Sequence, residues 1–161
     1  GMSALIRGAL RGAAAGAAGT TALNTLTYLD MVARARPAST TPEATVEELS
    51  KRTGVDVPGQ GQNRDNRVAG LGPLTGIAAG LGAGLVLGSA RALGLRPGLV
   101  VSALVATVGA LVGTNGPMTA LGITDPRTWA AKDWVADVVP HLAYGIVTAA
   151  VLQGLDGHRP R

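Results

Sequence analysis

The sequence contains no cysteine and no phenylalanine, and only two histidines, His141 and His158, among its 161 residues. Without cysteine, the chain has no disulfide framework, no thiolate nucleophile and no cysteine-based zinc site. Two histidines are also too few for a His-rich metal site. These absences exclude most thiol and metal catalysis, and we expect neither a metal ion nor a cofactor.

Charged residues are scarce as well, at 15% of the chain, and they are unevenly distributed. As α-helix, 18 residues reach about 27 Å and 23 residues about 34 Å, close to the bilayer's hydrocarbon thickness of about 30 Å. A soluble bundle instead needs a charged stripe on the outer face of every helix. The distribution predicts four transmembrane helices (spans), one in each window without Asp, Glu, Lys or Arg: residues 12–29, 68–90, 97–124 and 138–155.

Two alternatives to this interpretation stay open. The windows are rich in Ala and Gly, and are therefore less hydrophobic than Leu-rich spans, so a soluble helical bundle is the competing fold. The first window is the weakest, because residues 1–30, with Arg7 and Arg11 before an Ala/Gly run, also fit a secretory signal. That run lacks the Leu and Val density of a signal core, which favours the span.

A polar connection, residues 35–67, separates the first two spans. Thr41-Pro42-Glu43 combines a capping hydroxyl with a proline, and predicts a surface helix over residues 42–53 that ends at Gly54. We expect residues 55–66 to be irregular chain. Two ion pairs at i,i+4 spacing support the helix: Glu47 with Lys51, and Glu48 with Arg52.

The other two connections are short. Residues 91–97 are few enough to make the second and third spans an antiparallel hairpin. Asn115-Gly116-Pro117 predicts that the third span ends at residue 115. After Asp125-Pro126, Trp129 and Trp134 lie beside charged residues, a composition that predicts a short helix at the membrane interface.

The predicted fold is therefore all-α: a single domain over residues 1–161, built as an integral membrane bundle of four transmembrane helices with a short interfacial helix before the last span. Basic residues in short flanking segments favour the cytoplasmic side, so we expect both termini there. The net charge of +4 suits anionic lipid headgroups, and no aromatic-interleaved basic face indicates nucleic acid. The cations on the side of the termini are Arg7, Arg11, Arg91, Arg96, Arg159 and Arg161.

Glycine recurs at every fourth residue through the second span, and this series is called the glycine ladder below. With Gly70 and Gly82, which lie outside the series, the second span contains seven glycines. In water, seven glycines in one helix cost about 7 kcal/mol relative to alanine, so another segment must approach the bare face closely. In lipid, small residues four apart let helix backbones come close together. The ladder predicts tight helix packing, either inside one bundle or between copies in a homo-oligomer. Its members are Gly72, Gly76, Gly80, Gly84 and Gly88, and similar small stripes run through the other spans as Gly8, Gly12, Gly16 and Thr20, as Ser102, Ala106, Ala110 and Thr114, and as His141, Gly145 and Ala149.

Polar side chains at membrane depth define the candidate site, because an ionisable residue inside a span is costly and normally faces protein or water. Asp137 and His141 lie four residues apart, where the carboxylate can hold the imidazole N–H as a proton-binding pair. The competing interpretation is a structural hydrogen bond from His141 to a neighbouring span, for example to Asn24 or Tyr28. We expect Asp30 to form an interfacial ion pair with Arg34. The ligand- or proton-binding candidates are Asp137, His141, Tyr144, Asn24, Tyr28 and Asp30.

The sequence contains no recognisable set of nucleophile, base and orienting group, no phosphate loop and no dinucleotide motif. We therefore expect a membrane protein without evident catalytic activity, which self-associates through the glycine ladder and binds protons or a small ligand at its polar cluster. The alternatives are a small transporter or channel, and a membrane enzyme that uses Asp133, Asp137 and His141.

Three segments resemble an actinobacterial group of small membrane proteins: TALNTLTYLDMVARARPASTTPE, NRVAGLGPLTG and DPRTWAAKDWVADVVPHLAYGIV. More distantly, the His-Leu-x-Tyr-Gly sequence at residues 141–145 is similar to the YagU-like inner-membrane family, which is associated with survival in acid. The resemblance implies a multi-pass protein of the bacterial cytoplasmic (inner) membrane, with proton-linked behaviour at His141. It implies no catalytic residues.

Overall fold

Five α-helices account for most of the chain in the computed structural model, which describes residues 2–157. No strand occurs within this range, so the predicted all-α class is confirmed. His158, Arg159 and Arg161 lie outside the described residues. The helices are α1 (Ala4–Arg34), α2 (Thr41–Thr53), α3 (Gly61–Ala92), α4 (Leu99–Ala120) and α5 (Ala131–Gly157), with one 3₁₀ turn at Pro126–Thr128.

Three helices, α3, α4 and α5, are long and apolar enough to cross a membrane. The distribution of side chains agrees, because the buried residues are mostly small while the large apolar side chains lie outside. In water this exterior would be an extensive exposed apolar surface, whereas in a bilayer it meets lipid tails. The described chain therefore has the helices of a membrane protein. Side chains more than half exposed include Leu10, Val86, Val100, Val112 and Val135.

The first predicted span, residues 12–29, forms the middle of α1, which is not apolar enough to be counted with the other three helices. Its residues are mainly Ala, Gly and Thr, whereas α4 is rich in Val and Leu. Length is not the reason, since α1 has 31 residues and measures about 46 Å as α-helix.

The four long helices run alternately up and down, and α2 packs beside α3. α1 packs extensively against both α3 and α5, and α4 packs against α5. α3 and α4 touch much less, although only a short connection joins them. The predicted hairpin of the second and third spans therefore has the expected direction, but the main partner of α3 is α1.

The glycine ladder of α3 explains this preference, because it faces the small stripe of α1. A Cβ atom built on Gly84 would overlap the carbonyl oxygen of Gly12, and one built on Gly88 would lie 2.6 Å from Gly12 Cα. Both separations are far below van der Waals contact, so the two backbones come this close only because neither residue has a side chain. Gly80, Gly84 and Gly88 thus pack inside one bundle.

The other two ladder residues have different surroundings. A Cβ atom on Gly72 would lie 3.1 Å from the backbone nitrogen of Glu43, so Gly72 packs against α2. A Cβ atom on Gly76 would meet no other atom within 4 Å. The ladder is therefore a seam over part of its length only.

The polar connection contains the predicted surface helix. α2 begins at Thr41 with Pro42 in its first turn and ends before Gly54, whose φ of 70° is left-handed, so the prediction over residues 42–53 is confirmed. The ion pair of Glu48 with Arg52 forms at 2.8 Å. Glu47 pairs with Arg64 of α3 at 2.7 Å, and not with Lys51 as predicted.

Two predicted boundaries are wrong. Residues 61–66, expected to be irregular, form the first turns of α3, where Gln62 donates a hydrogen bond to Asn66 four residues on. α4 continues past residue 115 to Ala120 with Pro117 inside it. Pro117 removes one helical N–H, its own, and only three residues of α4 follow it, while Gly116 before it has no Cβ to clash with the ring.

A separate interfacial helix does not form before the last span. The 3₁₀ turn at Pro126–Thr128 leads directly into α5, and Trp134 belongs to the first turn of α5. The rings of Trp129 and Trp134 meet edge to face with centroids 4.9 Å apart. The aromatic and charged composition therefore marks the beginning of α5, because the two rings pack on each other where that helix starts.

Candidate functional site

One face of α5 is polar and turns into the bundle. Asp137, His141, Tyr144 and Thr148 follow one another at intervals of three or four residues, which places them on one side of the helix. His141 is 8% exposed and Tyr144 only 1%. The polar stripe predicted for the last span is therefore an interior face.

His141 has a hydrogen-bond acceptor at each ring nitrogen. Nδ1 lies 2.7 Å from the carbonyl oxygen of Asp137 and 3.5 Å from its Oδ1. A carbonyl only accepts, so Nδ1 carries a hydrogen. Nε2 lies 3.4 Å from the hydroxyl oxygen of Thr114, which donates its own proton to the Ala110 carbonyl at 2.8 Å. A lone pair of Thr114 is thus left to face Nε2.

The carboxylate of Asp137 is held from the neighbouring helix. Asn115 of α4 donates from Nδ2 to Asp137 Oδ2 at 2.7 Å. The other oxygen, Oδ1, faces the His141 ring. α4 therefore contributes two neutral side chains to the site, one to each member of the Asp137–His141 pair, and we call these four residues the α4–α5 cluster.

Sequence reasoning misses Thr114 and Asn115 as members of the site. It places Thr114 in a small-residue stripe and interprets Asn115 only as part of a helix end. A usable signal exists, because an amide inside a charge-free window is costly in lipid and normally finds a partner within the protein. The assumption that α4 stops at residue 115 removes Asn115 from consideration.

Tyr144 lies apart from this cluster in its bonding. Its hydroxyl donates to the backbone carbonyl of Gly80 at 2.6 Å, across 64 residues of sequence. Its ring packs with Ala106 and Ala110 of α4. A Cβ atom built on Gly80 would overlap the hydroxyl oxygen of Thr20, whereas its distance of 3.5 Å to the Tyr144 ring would be an ordinary contact. Tyr144 therefore ties α5 to α3.

The polar residues of α1 do not bind His141. Tyr28 is 61% exposed and points away from the interior. Within residues 2–157, the side chain of Asn24 forms no hydrogen bond to the ring, and Thr20 and Thr25 donate to carbonyls of their own helix. His141 therefore does contact a neighbouring span, as that interpretation predicts, but through Thr114 of α4 and not through Asn24 or Tyr28 of α1.

Asp30 forms the predicted ion pair at the end of α1. Arg34 donates to both carboxylate oxygens at 2.8 Å, and Arg36 adds a third bond at 2.5 Å. The hydrogen bonds from Arg34 and then Arg36 lower the pKa of Asp30 from 3.8 to about 2. Asp30 thus stays charged at any ordinary pH and is a structural anion.

The three groups required by the enzyme alternative are not assembled into one site. The carboxylate of Asp133 accepts from the backbone N–H of Ala130 at 3.0 Å and caps the start of α5. Only Asp137 and His141 meet. Within residues 2–157, no group of three His, Asp or Glu side chains is placed to hold a metal ion.

Comparison of the chain with protein-family models, with curated proteins and with solved structures finds no match in any of the three. The resemblance to actinobacterial membrane proteins and to the YagU-like family therefore stays a prediction.

Proposed function

We propose that the protein is a non-enzymatic, four-span membrane protein whose α4–α5 cluster takes up a proton at His141. The observation that carries the proposal is the pair of acceptors around the His141 ring, with the Asp137 carboxylate 3.5 Å from Nδ1. A singly protonated ring leaves Nε2 opposite the lone pair of Thr114. A doubly protonated ring donates at both nitrogens. Proton uptake therefore adds a bond between α5 and α4.

The packing of α1 supports the fourth span. α1 lies along α3 from Gly8 to Thr20 and along α5 near Gly19, so it shares the depth of helices that are apolar enough to cross a membrane. Its outer face carries apolar side chains such as Leu10 and Leu29, each 57% exposed. The hydroxyls of Thr21 and other threonines bond to carbonyls within the helix, which lowers their cost in lipid.

Direct hydrogen bonds between α4 and α5 favour a binding protein over a transporter. A transport path requires polar faces separated by wettable space, whereas Asn115 bonds Asp137 directly and Thr114 contacts His141 without a gap for water. Proton uptake at such a site changes the strength of a helix contact. We infer a pH-responsive element and not a conduit.

The proposed location is the bacterial cytoplasmic membrane with the termini inside. Arg7, Arg11, Arg91 and Arg96 gather at the end of the bundle where α1 begins, in short flanking segments, which is the arrangement typical of a cytoplasmic face.

Self-association is part of the same proposal. Its seam involves outward glycines of α4, because a Cβ atom added to Gly109 or Gly113 would meet no other atom of the chain within 4 Å. These glycines are four residues apart, the spacing that lets a helix of a second copy approach closely in lipid.

The test is a pH titration of tryptophan fluorescence in detergent micelles or nanodiscs. Trp134 lies one turn before Asp137, so its emission reports on the start of α5. We expect a transition between about pH 5 and 8 in the wild type, where histidine titrates. His141→Gln is expected to abolish it, and His158→Gln, which changes the only other histidine, to preserve it. A wild type without a transition, or a His141→Gln variant that keeps it, would overturn the proposal.

A further inference from the structure

Four arginines line one cavity at the end of the bundle where α1 begins and α3 ends. The cavity measures about 510 Å³, within the range of about 300–1,000 Å³ usual for small-ligand sites. α1 contributes Arg7 and Arg11, one turn apart, α3 contributes Arg91, and the connection to α4 contributes Arg96. Among the described residues of its lining, Asp156 of α5 is the one acidic side chain. We call this cavity the arginine pocket.

The charges in the arginine pocket are not balanced. Four positive groups face one negative group, an excess of three positive charges. Arg91 donates to Asp156 at 2.7 Å, and Arg11 lies 3.7 Å from the same carboxylate. The hydrogen bonds of Arg7 and Arg96 go to neutral carbonyl oxygens, of Met2 and Arg91 respectively. The described lining therefore carries a net positive charge, which favours the binding of an anion.

The close contact between the glycine faces of α1 and α3 brings these cations together. Gly8 and Gly88 form part of the pocket wall, and a Cβ atom on Gly8 would lie 2.6 Å from the Ala92 side chain. Because the backbones of α1 and α3 touch here, guanidinium groups from two helices reach one space. Arg91 is buried, at 9% exposed, and it lines the pocket beside Gly88, where α1 and α3 touch.

We propose that the arginine pocket binds a phosphate group, and that the phosphate of an anionic phospholipid is the source favoured by its position. Guanidinium forks match phosphate oxygens in bidentate geometry, and basic pockets between membrane helices bind lipid headgroups. The pocket lies at the ends of α1, α3 and α5, the depth of headgroups for spanning helices. Nearby exposed Leu5, Ile6 and Leu93 supply apolar contacts for acyl chains.

The experiment measures lipid binding to the full chain in a neutral detergent by native mass spectrometry. Phosphatidylglycerol is expected to bind at least about tenfold more tightly than phosphatidylcholine, at roughly the strength of one or two added cation contacts. The double variant Arg7→Gln, Arg96→Gln is expected to lose this preference. The matched control Arg127→Gln, Lys132→Gln removes the same charge from the other end of the bundle and is expected to retain it.

Two further arms distinguish the sources of phosphate and protect against misfolding. Inorganic phosphate alone that binds in place of phosphatidylglycerol would assign the pocket to a soluble phosphate. Asp156→Asn removes the one carboxylate, so it is expected to tighten phosphatidylglycerol binding several-fold, a gain that a damaged fold does not produce. His141→Gln is expected to bind like the wild type, which separates this site from the proton site. Equal binding of both lipids with no binding of phosphate, or full binding by the Arg7, Arg96 double variant, would overturn the proposal.

Discussion

The bundle joins its helices in two different ways. α1 and α3 meet through glycine backbone, so that Gly12 and Gly84 leave no room for a side chain between them. α4 and α5 meet through polar side chains, with Asn115 bound to Asp137 and Thr114 in contact with His141. We call the first contact the glycine seam and the second the polar seam.

The two contacts differ in what determines their strength in lipid. There the hydrophobic effect does not drive helices together, so close packing and hydrogen bonds must do so. The glycine seam contains nothing that titrates, and its strength depends on shape alone. The polar seam contains His141 and Asp137, and under the proposed function its strength depends on the proton concentration. The proposed function thus gives the same bundle one contact that is constant and one that responds to pH.

The largest effect is expected from filling the glycine seam. In Gly84→Ala, the new methyl group would overlap the carbonyl oxygen of Gly12, and a backbone atom has little freedom to move aside. We expect a loss of about 3 kcal/mol in the free energy of unfolding, at the upper end of typical overpacking costs. Thermal or SDS-induced unfolding in micelles measures it.

Gly76→Ala is the matched control for this variant. It lies on the same helix, two turns away, where a Cβ atom would meet no other atom within 4 Å. Alanine is the better helix former, so we expect Gly76→Ala to be neutral or slightly stabilising. Equal loss of stability in the two variants would mean that the seam does not hold α1 against α3.

A smaller effect is expected from the hydrogen bond that joins α5 to α3. Tyr144→Phe removes the hydroxyl that donates to the Gly80 carbonyl at 2.6 Å. Hydrogen bonds between membrane helices contribute about 0.6 kcal/mol on average and up to about 1.7 kcal/mol, so we expect a loss in this range. The same unfolding assay applies. Tyr28→Phe, at the exposed second tyrosine, should change stability by less, and the reverse order would contradict the assignment of the Tyr144 bond.

The smallest effect on stability is expected from the ion pairs of Asp30 with Arg34 and Arg36 at the end of α1. The stability that they contribute also depends on pH in a different range from the one proposed for His141. Arg34 and Arg36 lower the pKa of Asp30 to about 2, so its contribution is complete above the ordinary value of 3.8 and is lost only as pH falls through about 2. The melting temperatures of wild type and Asp30→Asn should therefore differ by the same small amount from pH 7 to 5. If the difference in melting temperature disappears between pH 7 and 5, Asp30 takes up a proton in that range and the assignment of its low pKa is wrong.

Much of the architecture is predictable because it depends on local chemistry. The charge-free windows correspond to four long helices, and the proline and glycine around residues 41–54 correctly bound α2, although Thr41 is its first helical residue and no hydroxyl caps it. The pairing of Asp30 with Arg34 follows from their spacing on one helix. The i,i+4 stripe of α5 also correctly identifies its buried face.

The errors concern choices that local patterns do not make. The rule that proline ends a helix fails at Pro117, where the loss of one backbone N–H does not stop α4 from continuing to Ala120. The prediction that Tyr28 could contact His141 fails for a different reason, since the way α1 is rotated by its glycine face leaves Tyr28 outside the bundle. In both cases the prediction considers one helix alone, whereas the end of α4 and the orientation of Tyr28 depend on the surrounding chain.

The long apolar helices, the face of α3 without side chains and the few titratable groups within the spans all follow from residue type and spacing. Which helix faces meet follows instead from how the helices pack in the folded bundle. Gly84 meets Gly12, and Asp137 meets Asn115, because the packing of each helix against its neighbours sets its rotation. The arginine pocket also exists only in the folded bundle, since Arg11 and Arg91, which are far apart in the chain, approach one another only when the two glycine faces are in contact.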